Sequence, residues 1–320
     1  NREKARQAAV GEVLERYSML LPEKTRRMEA QSAEINGLEY TDYSWFHEEQ
    51  DTDFENPEPG DEIEFLEGLN VQGERIFFPA RLVLVNYRGK KHEDSNIGYP
   101  TSSGCAVARS PEKAFLKGLL EQIERSNALK AWFSDRDLKR IGSSQDDSLS
   151  RYAKSKGLKT DFIDITGEDG VPAVMGLCRG NGFQPAYSFS AELSMEGALK
   201  DARRELLQSC VSAQKRTDSD LEYREDAQKT QELLSRLKGE TGNSESVVKP
   251  KEIIEHFGER SVLAFDISAP ELESKSLKAV KTVVPDLIQF GGRHDMFLGN
   301  QEFRDNFGIE AAENKPPFLH

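Results

Sequence analysis

Cysteine is scarce in this sequence. Three in 320 residues (Cys105, Cys178 and Cys210), scattered and never paired as C-x-x-C, exclude a disulfide framework. The five histidines are far apart and form no zinc-binding spacing. No apolar run approaches the roughly 18 residues of a membrane span, and no signal peptide opens the chain, so a cytoplasmic protein with no membrane partner is expected. An excess of basic charge is also missing. Lys and Arg total 43 against 56 Asp and Glu, and the resulting net charge of −13 argues against a nucleic-acid backbone as partner. There is no solenoid repeat. What remains is a globular composition, with 37% hydrophobic and 31% charged residues, long enough to bury a full core as one large domain or two.

Asn1 opens inside an amphipathic helical pattern with no N-cap, which predicts further sequence upstream, and the closing KPPFLH reads as cut short. Between the ends the pattern predicts a helix over 1–20, stopped at Leu21-Pro22. A connector over 24–34 follows, then an acidic stretch over 37–64 holding Tyr40, Tyr43, Trp45, Phe46 and Phe54, read as a packed loop with a surface lid as the alternative. Residues 75–87 read as a strand with an edge or bulge at Pro79, and 88–96 as a loop. A small-residue turn over 101–106 would leave backbone N–H groups to meet an anion, or would simply permit close packing. A helix over 113–132 comes next, then helix and loop over 135–149, helix over 151–157, and strands over 160–166 and 171–178. A turn at Gly180-Asn-Gly182 closes a hairpin-like excursion. Residues 194–213 are helical, and 215–246 read as an exposed charged helix with a loop over 239–244. A helix over 251–257, a strand over 262–268, a short helix over 271–276 and a last strand over 277–290 precede an aperiodic tail. This order predicts an α+β fold with mixed sheets and layered helices.

One spacing stands out. Glu12, Glu15 and Arg16 form an E-x-x-E-R triplet in the first helix, and Glu121, Glu124 and Arg125 form the other such triplet in the chain. Residues three and four apart share a helix face with Cβ atoms roughly 5–6 Å apart, so each triplet sets two carboxylates beside a guanidinium. Apolar residues mark the opposite faces: Ala9, Val10, Val13 and Leu14 in one, Phe115, Leu116, Leu119, Leu120 and Ile123 in the other. Crowded carboxylates repel unless a cation or proton sits among them. Mg²⁺ suits such a place, taking about six oxygens from carboxylates, waters and phosphates. Guanidinium supplies planar donors to phosphate. Two such helices facing one another would hold a nucleotide triphosphate with its metal. A single triplet in a charged chain is ordinarily a solvated face with i, i+4 pairing, and spacing alone does not separate the two readings. Glu205 and Gln208 make a third polar pair at i, i+3 on the 194–213 helix.

The succession AAVGEVLERYS, SSGCAVARSPEKAFLKGLLEQIERSNALKAWF, a strand pair, GALKDARRELLQS and KTVVPDLIQF resembles the YcaO family, and within it the SagD-type maturases that build thiazole and oxazole rings. The resemblance covers nearly all of the chain. It implies one YcaO-type ATP-binding catalytic domain over 1–320, lacking an upstream part, with a charged insertion over 215–246 and a tail over 291–320. The implied activity is an ATP- and Mg²⁺-dependent cyclodehydratase that activates a peptide backbone amide by phosphorylation, giving azolines in a ribosomally made peptide. Alternatives are thioamide or amidine formation, or a non-catalytic scaffold in a modification complex. By position, Glu12, Glu15, Glu121 and Glu124 would hold Mg²⁺ and contact ATP. Arg16 and Arg125 would contact phosphate or lock the carboxylates, making Arg16, Glu124 and Arg125 the catalytic candidates. Glu205 and Gln208 would complete the nucleotide site, with Ser103 a further contact. A precursor peptide, a leader-binding partner or upstream domain, a flavin dehydrogenase and a homodimer are the implied partners. The sequence departs from the family pattern at Asp201, where an arginine is expected and Arg203 or Arg204 could substitute. It departs also at Lys113, at Ala8, and at the end, where Pro316-Pro317 stands for P-x-P-x-P.

Overall fold

The structure, a computed structural model, describes residues 2–19, 27–31, 62–85, 87, 101–142, 146–213, 228, 230–241, 247–258, 262–285 and 287–288. The aromatic cluster from Tyr40 to Phe54, the 88–96 loop and the 291–320 tail lie outside them. The chain divides into two compact units, Asn1–Gln122 with Ile254–Pro317, and Ile123–Ile253.

The first unit is built on an antiparallel sheet. Strands β1 (Arg27–Gln31), β2 (Glu62–Asn70), β10 (Leu263–Asp266), β11 (Lys278–Val283) and β4 (Cys105–Ala108) lie side by side in that order, and β3 (Arg75–Pro79) also pairs with β2. Phe65, Leu66, Phe78 and Phe265 are fully buried between these strands. Each such side chain contributes roughly 1.5–3 kcal/mol by leaving water. The Phe78 and Phe265 rings meet at 5.9 Å, and Gly68 admits them, since a Cβ there would stand 2.5 Å from the Phe265 ring. Helix α1 (Arg2–Ser18) rests on this core through Leu14 and Tyr17. Of the apolar stripe expected on α1, Leu14 packs on the core and the valines do not. Val10 and Val13 are 51% and 65% exposed, because Tyr17, Ser18 and Met19, one turn further on, take the inward positions.

The second unit carries a sheet in the order β8 (Phe183–Ala191), β7 (Ala173–Gly180), β6 (Lys159–Asp164), β5 (Leu138–Ile141) and β9 (Leu237–Thr241). Its pairs are antiparallel except β5 with β9, which run parallel. Helix α4 (Ser148–Lys156) and helix α5 (Met195–Ala213) cover one face. Ala198, Ala202, Leu206 and Cys210 of α5 meet Phe162, Val174 and Cys178. Gly176 permits the close approach, since a Cβ there would stand 3.2 Å from Leu206. Asp147 caps α4 by accepting from the Ser150 N–H at 2.9 Å, and Gly157 ends it with φ +65°. On the other face Trp132 meets the edge of Tyr187 at 6.3 Å, and the Tyr187 hydroxyl bonds Thr230 at 2.8 Å. Helix α3 (Pro111–Phe133) runs through the division between the units. Its last carbonyls are gathered by Arg236, which donates to Ala131 O at 2.9 Å and to Ser134 O.

Several expected elements differ. Residues 75–87 hold the short strand β3 and then a helical turn, α2 (Ala80–Val83), that follows directly after Pro79. The expected connector over 24–34 contains β1, and the end of the acidic stretch is β2. Helix was expected before the loop of 135–149, where β5 stands instead. Gly239, expected in a loop, lies within β9.

Candidate active site

The site is built on the turn before β4. Gly104 sits at φ +82°, and a Cβ on it would collide with Thr282 O. Only glycine fits there. Gly118 of α3 faces the same turn, so the helix backbone lies close against Gly104 O. That approach puts Glu121 and Gln122, one turn along α3, at the two ends of a single peptide unit. Glu121 Oε2 accepts from Gly104 N–H at 3.0 Å, while Gln122 Nε2 donates to Ser103 O at 3.0 Å and to Thr282 O at 3.2 Å. Two residues into β4, Val107 N–H donates to Glu15 Oε1 of α1 at 3.2 Å.

One short segment of backbone therefore holds carboxylates from both triplets. The consequence shows in the electrostatics. Burial pushes the Glu15 carboxyl above the usual carboxylate range, and the charges of Glu121 and Glu12 push it further. The Val107 N–H and the Lys117 ammonium act in the opposite direction without overcoming them. At Glu15, burial and the neighbouring carboxylates thus outweigh the nearby ammonium. Among the described residues no group of three His, Cys, Asp or Glu side chains stands ready for a metal ion. Two carboxylates nevertheless fit Mg²⁺, which usually takes one or two from the protein and the rest from water and phosphate.

The remaining residues are placed as follows. Glu12 and Arg16 pair with each other at 2.9 Å on the exposed side of α1, the ordinary i, i+4 arrangement worth about 0.3–0.5 kcal/mol. Ser103 is buried, and its carbonyl rather than its side chain is the acceptor for Gln122. Glu124 and Arg125 are half-buried on α3, the next turn after Glu121. On α5, Glu205 is half-buried and Gln208 exposed. Arg204 lies 3.4 Å from Asp201 and 3.7 Å from Glu205. Arg203 is no substitute for the expected arginine of that motif. It is buried in the second unit, bonded to Asp147 at 2.6 Å and Ser150 at 3.0 Å and lying 4.9 Å over the Phe162 ring.

Two features of the site were not anticipated. The turn amide of Gly104, expected to meet an external anion, is taken by the protein's own Glu121. Gln122 and Lys281 were not among the candidates. Lys281 is 2% exposed and donates to Thr101 O and Ser103 O, each at 2.6 Å. The signal was present: a lysine inside KAVKTV, a strand otherwise apolar at its centre.

Comparison with known proteins bears on the family and the fold. The family model described as YcaO cyclodehydratase, ATP- and Mg²⁺-binding, matches residues 1–288. The chain belongs to the YcaO family. None of the curated proteins compared with it matches. Among solved structures it is similar to the heterocyclase TruD, with 18% identity, a TM-score of 0.73, and 99% of this chain and 49% of that chain covered. It is similar also to YcaO from Methanopyrus kandleri bound with AMPPCP and Mg²⁺, with 17% identity, a TM-score of 0.66, and 90% and 76% covered. A chain of the E. coli microcin synthetase McbBCD complex matches with 16% identity, a TM-score of 0.70, and 90% and 81% covered. At these identities the likeness is one of fold, and it agrees with the mixed helices and sheets expected of a YcaO ATP-binding domain. The chain spans 43% and 49% of the first two heterocyclase chains it matches. Among the described residues no helix is long and apolar enough to cross a membrane.

Proposed function

We propose that the chain is the ATP-binding catalytic part of a cyclodehydratase that forms azolines in a ribosomally synthesised peptide. The observation that carries this reading is the tethering of Glu15 and Glu121, one carboxylate from each motif, to the backbone of 104–107. Such a pair is costly for a folded chain and useful for one that loads a divalent cation. In this reading Glu12, Glu15, Glu121 and Glu124 hold Mg²⁺ with its nucleotide, and Glu205, Gln208 and Ser103 contribute to nucleotide binding. Arg16 and Arg125 meet phosphate. Arg204, beside Glu205, takes the part of the arginine that Asp201 replaces. Bound ATP would supply the phosphoryl group that turns an amide oxygen into a leaving group. The chain's own contribution is positioning and neutralisation of charge.

The substrate in this reading is a precursor peptide bearing Cys, Ser or Thr. A leader-binding partner or upstream domain presents it, in keeping with the share of the heterocyclase chains left unmatched. A flavin dehydrogenase acting on the azoline product, a homodimeric assembly and a cytoplasmic location complete the proposal. With a matched precursor peptide and any partner, phosphate release should require peptide and Mg²⁺, and the product should lose one water per ring. Glu124→Gln should abolish release while leaving the melting transition in place. Full turnover in that variant would remove Glu124 from the metal site, and a gain of sulfur instead of a loss of water would reassign the reaction.

A further inference from the structure

Lys281 is the one buried ammonium among the described residues, 2% exposed near the middle of β11. Desolvating a lysine costs several kcal/mol unless oxygens surround it. Here Thr101 O and Ser103 O lie at 2.6 Å. Ser103 O belongs to the same peptide unit as the Gly104 N–H, and that N–H donates to the Glu121 carboxylate. The unit is thus gripped at both ends, with a cation on its carbonyl and an anion on its amide. Gln122, the neighbour of Glu121, reinforces the carbonyl end. Hydrogen bonds in such a chain polarise one another, and a cation on the carbonyl makes the amide a stronger donor.

We infer that Lys281 is a positioning residue for the metal site: through the Ser103–Gly104 peptide it aims and holds the Glu121 carboxylate toward Mg²⁺. The inference rests on the nucleotide-binding reading of Glu121. Groups that hold a metal ligand in place typically set its affinity by about 10–100-fold without touching the ion. Their loss therefore appears in metal dependence before it appears in the chemical step.

The test uses Lys281→Met, with Gln122→Leu as the second variant should the first fail to fold. Without ligand, hydrogen exchange over 101–107 should quicken in the variant, and the Gly104 amide proton should shift upfield. With ATP, the Mg²⁺ concentration for half-maximal nucleotide binding in calorimetry should rise at least about tenfold. Turnover at saturating Mg²⁺ should change less. Unchanged exchange and unchanged Mg²⁺ dependence overturn the inference. Faster exchange with unchanged Mg²⁺ dependence also overturns it, leaving Lys281 a support of the turn alone, while nucleotide binding by the parent protein keeps the functional reading intact. Failure of the parent protein to bind ATP with Mg²⁺ overturns both.

Discussion

Gly118→Ala is the most informative single perturbation, because two effects of known size oppose each other. In a helix interior alanine is favoured over glycine by about 1 kcal/mol, so an unobstructed site would gain that much. Gly118 is obstructed. A Cβ there would overlap Gly104 O and stand 2.7 Å from Thr282 Oγ1 and 3.1 Å from the Gly104 carbonyl carbon. Two of these three atoms are backbone, and the backbone cannot swing aside. Thr282 N–H donates to Gly104 O at 2.8 Å, and Lys281 and Gln122 hold the preceding carbonyl. Forcing a methyl into a packed site costs typically 1–3 kcal/mol. The balance is a net loss of up to roughly 2 kcal/mol, or a fall of as much as a few degrees in melting temperature for a unit of this size. Binding should suffer more than stability, because any retreat of the turn draws the Gly104 N–H away from Glu121. Thermal melting followed by calorimetry with ATP and Mg²⁺ measures both. A variant that melts at or above the parent and binds nucleotide equally well would show that helix and turn are not tightly seated, and the account of the site would fail with it.

Glu15→Gln should separate stability from binding. The raised pKa means that the folded state holds this proton more tightly than the unfolded state does, so ionised Glu15 weakens the fold at neutral pH and acidification relieves it. The amide keeps an acceptor for Val107 N–H. The variant should melt higher than the parent at neutral pH, by roughly 0.5–2 kcal/mol, with the advantage shrinking toward acid, and should lose Mg²⁺-dependent nucleotide binding. A lower melting point at neutral pH would refute the electrostatic argument. Asp147→Ala should cost about 2–3 kcal/mol by leaving Arg203 buried without its partner, less than for a fully buried pair because the Asp147 side chain is 33% exposed. The Arg203 guanidinium holds the Asp147 carboxyl down at about 2, so in the parent this contribution is present above the ordinary Asp value and is lost as pH falls toward 2. Urea titrations of parent and variant at neutral pH and in acid measure it, and an acid transition unaffected by the substitution would refute the assignment.

Much of the architecture was legible because its signals are local. The helix around Glu121 keeps its apolar stripe through Leu119, Leu120 and Ile123. The β6–β7–β8 meander is punctuated by turns around Gly170 and Gly182, both at positive φ. The missed strands share a different character. EIEFLEGLN and LKGET carry charge at positions that read as solvated, and LKRI has four residues, too few to establish a period. Glu64 shows how the environment overrides the pattern: it is buried in β2, and the Tyr87 hydroxyl donates to it at 2.7 Å. At the site, spacing and the family's motifs together singled out four glutamates on two helices, without naming Glu15 and Glu121 as the two tethered to one stretch of backbone. The role of the 103–104 peptide was not legible, because backbone groups leave no letter in the sequence. The α1 stripe misled because an amphipathic pattern names a face without saying which neighbour is present to cover it.

The parallel partnership of β5 with β9 has a consequence for how the protein is made. Leu138–Ile141 leaves the ribosome long before Leu237–Thr241. In the interval β6 covers one side of β5, and the other side is a row of unmet backbone groups. Pairing across so long an intervening chain is slow, because ends far apart must first find each other. Until β9 arrives β5 is the margin of this sheet, and afterwards the margin is β9 itself, a strand of five residues that carries Lys238 and Glu240 and so offers a poorer template for unwanted pairing.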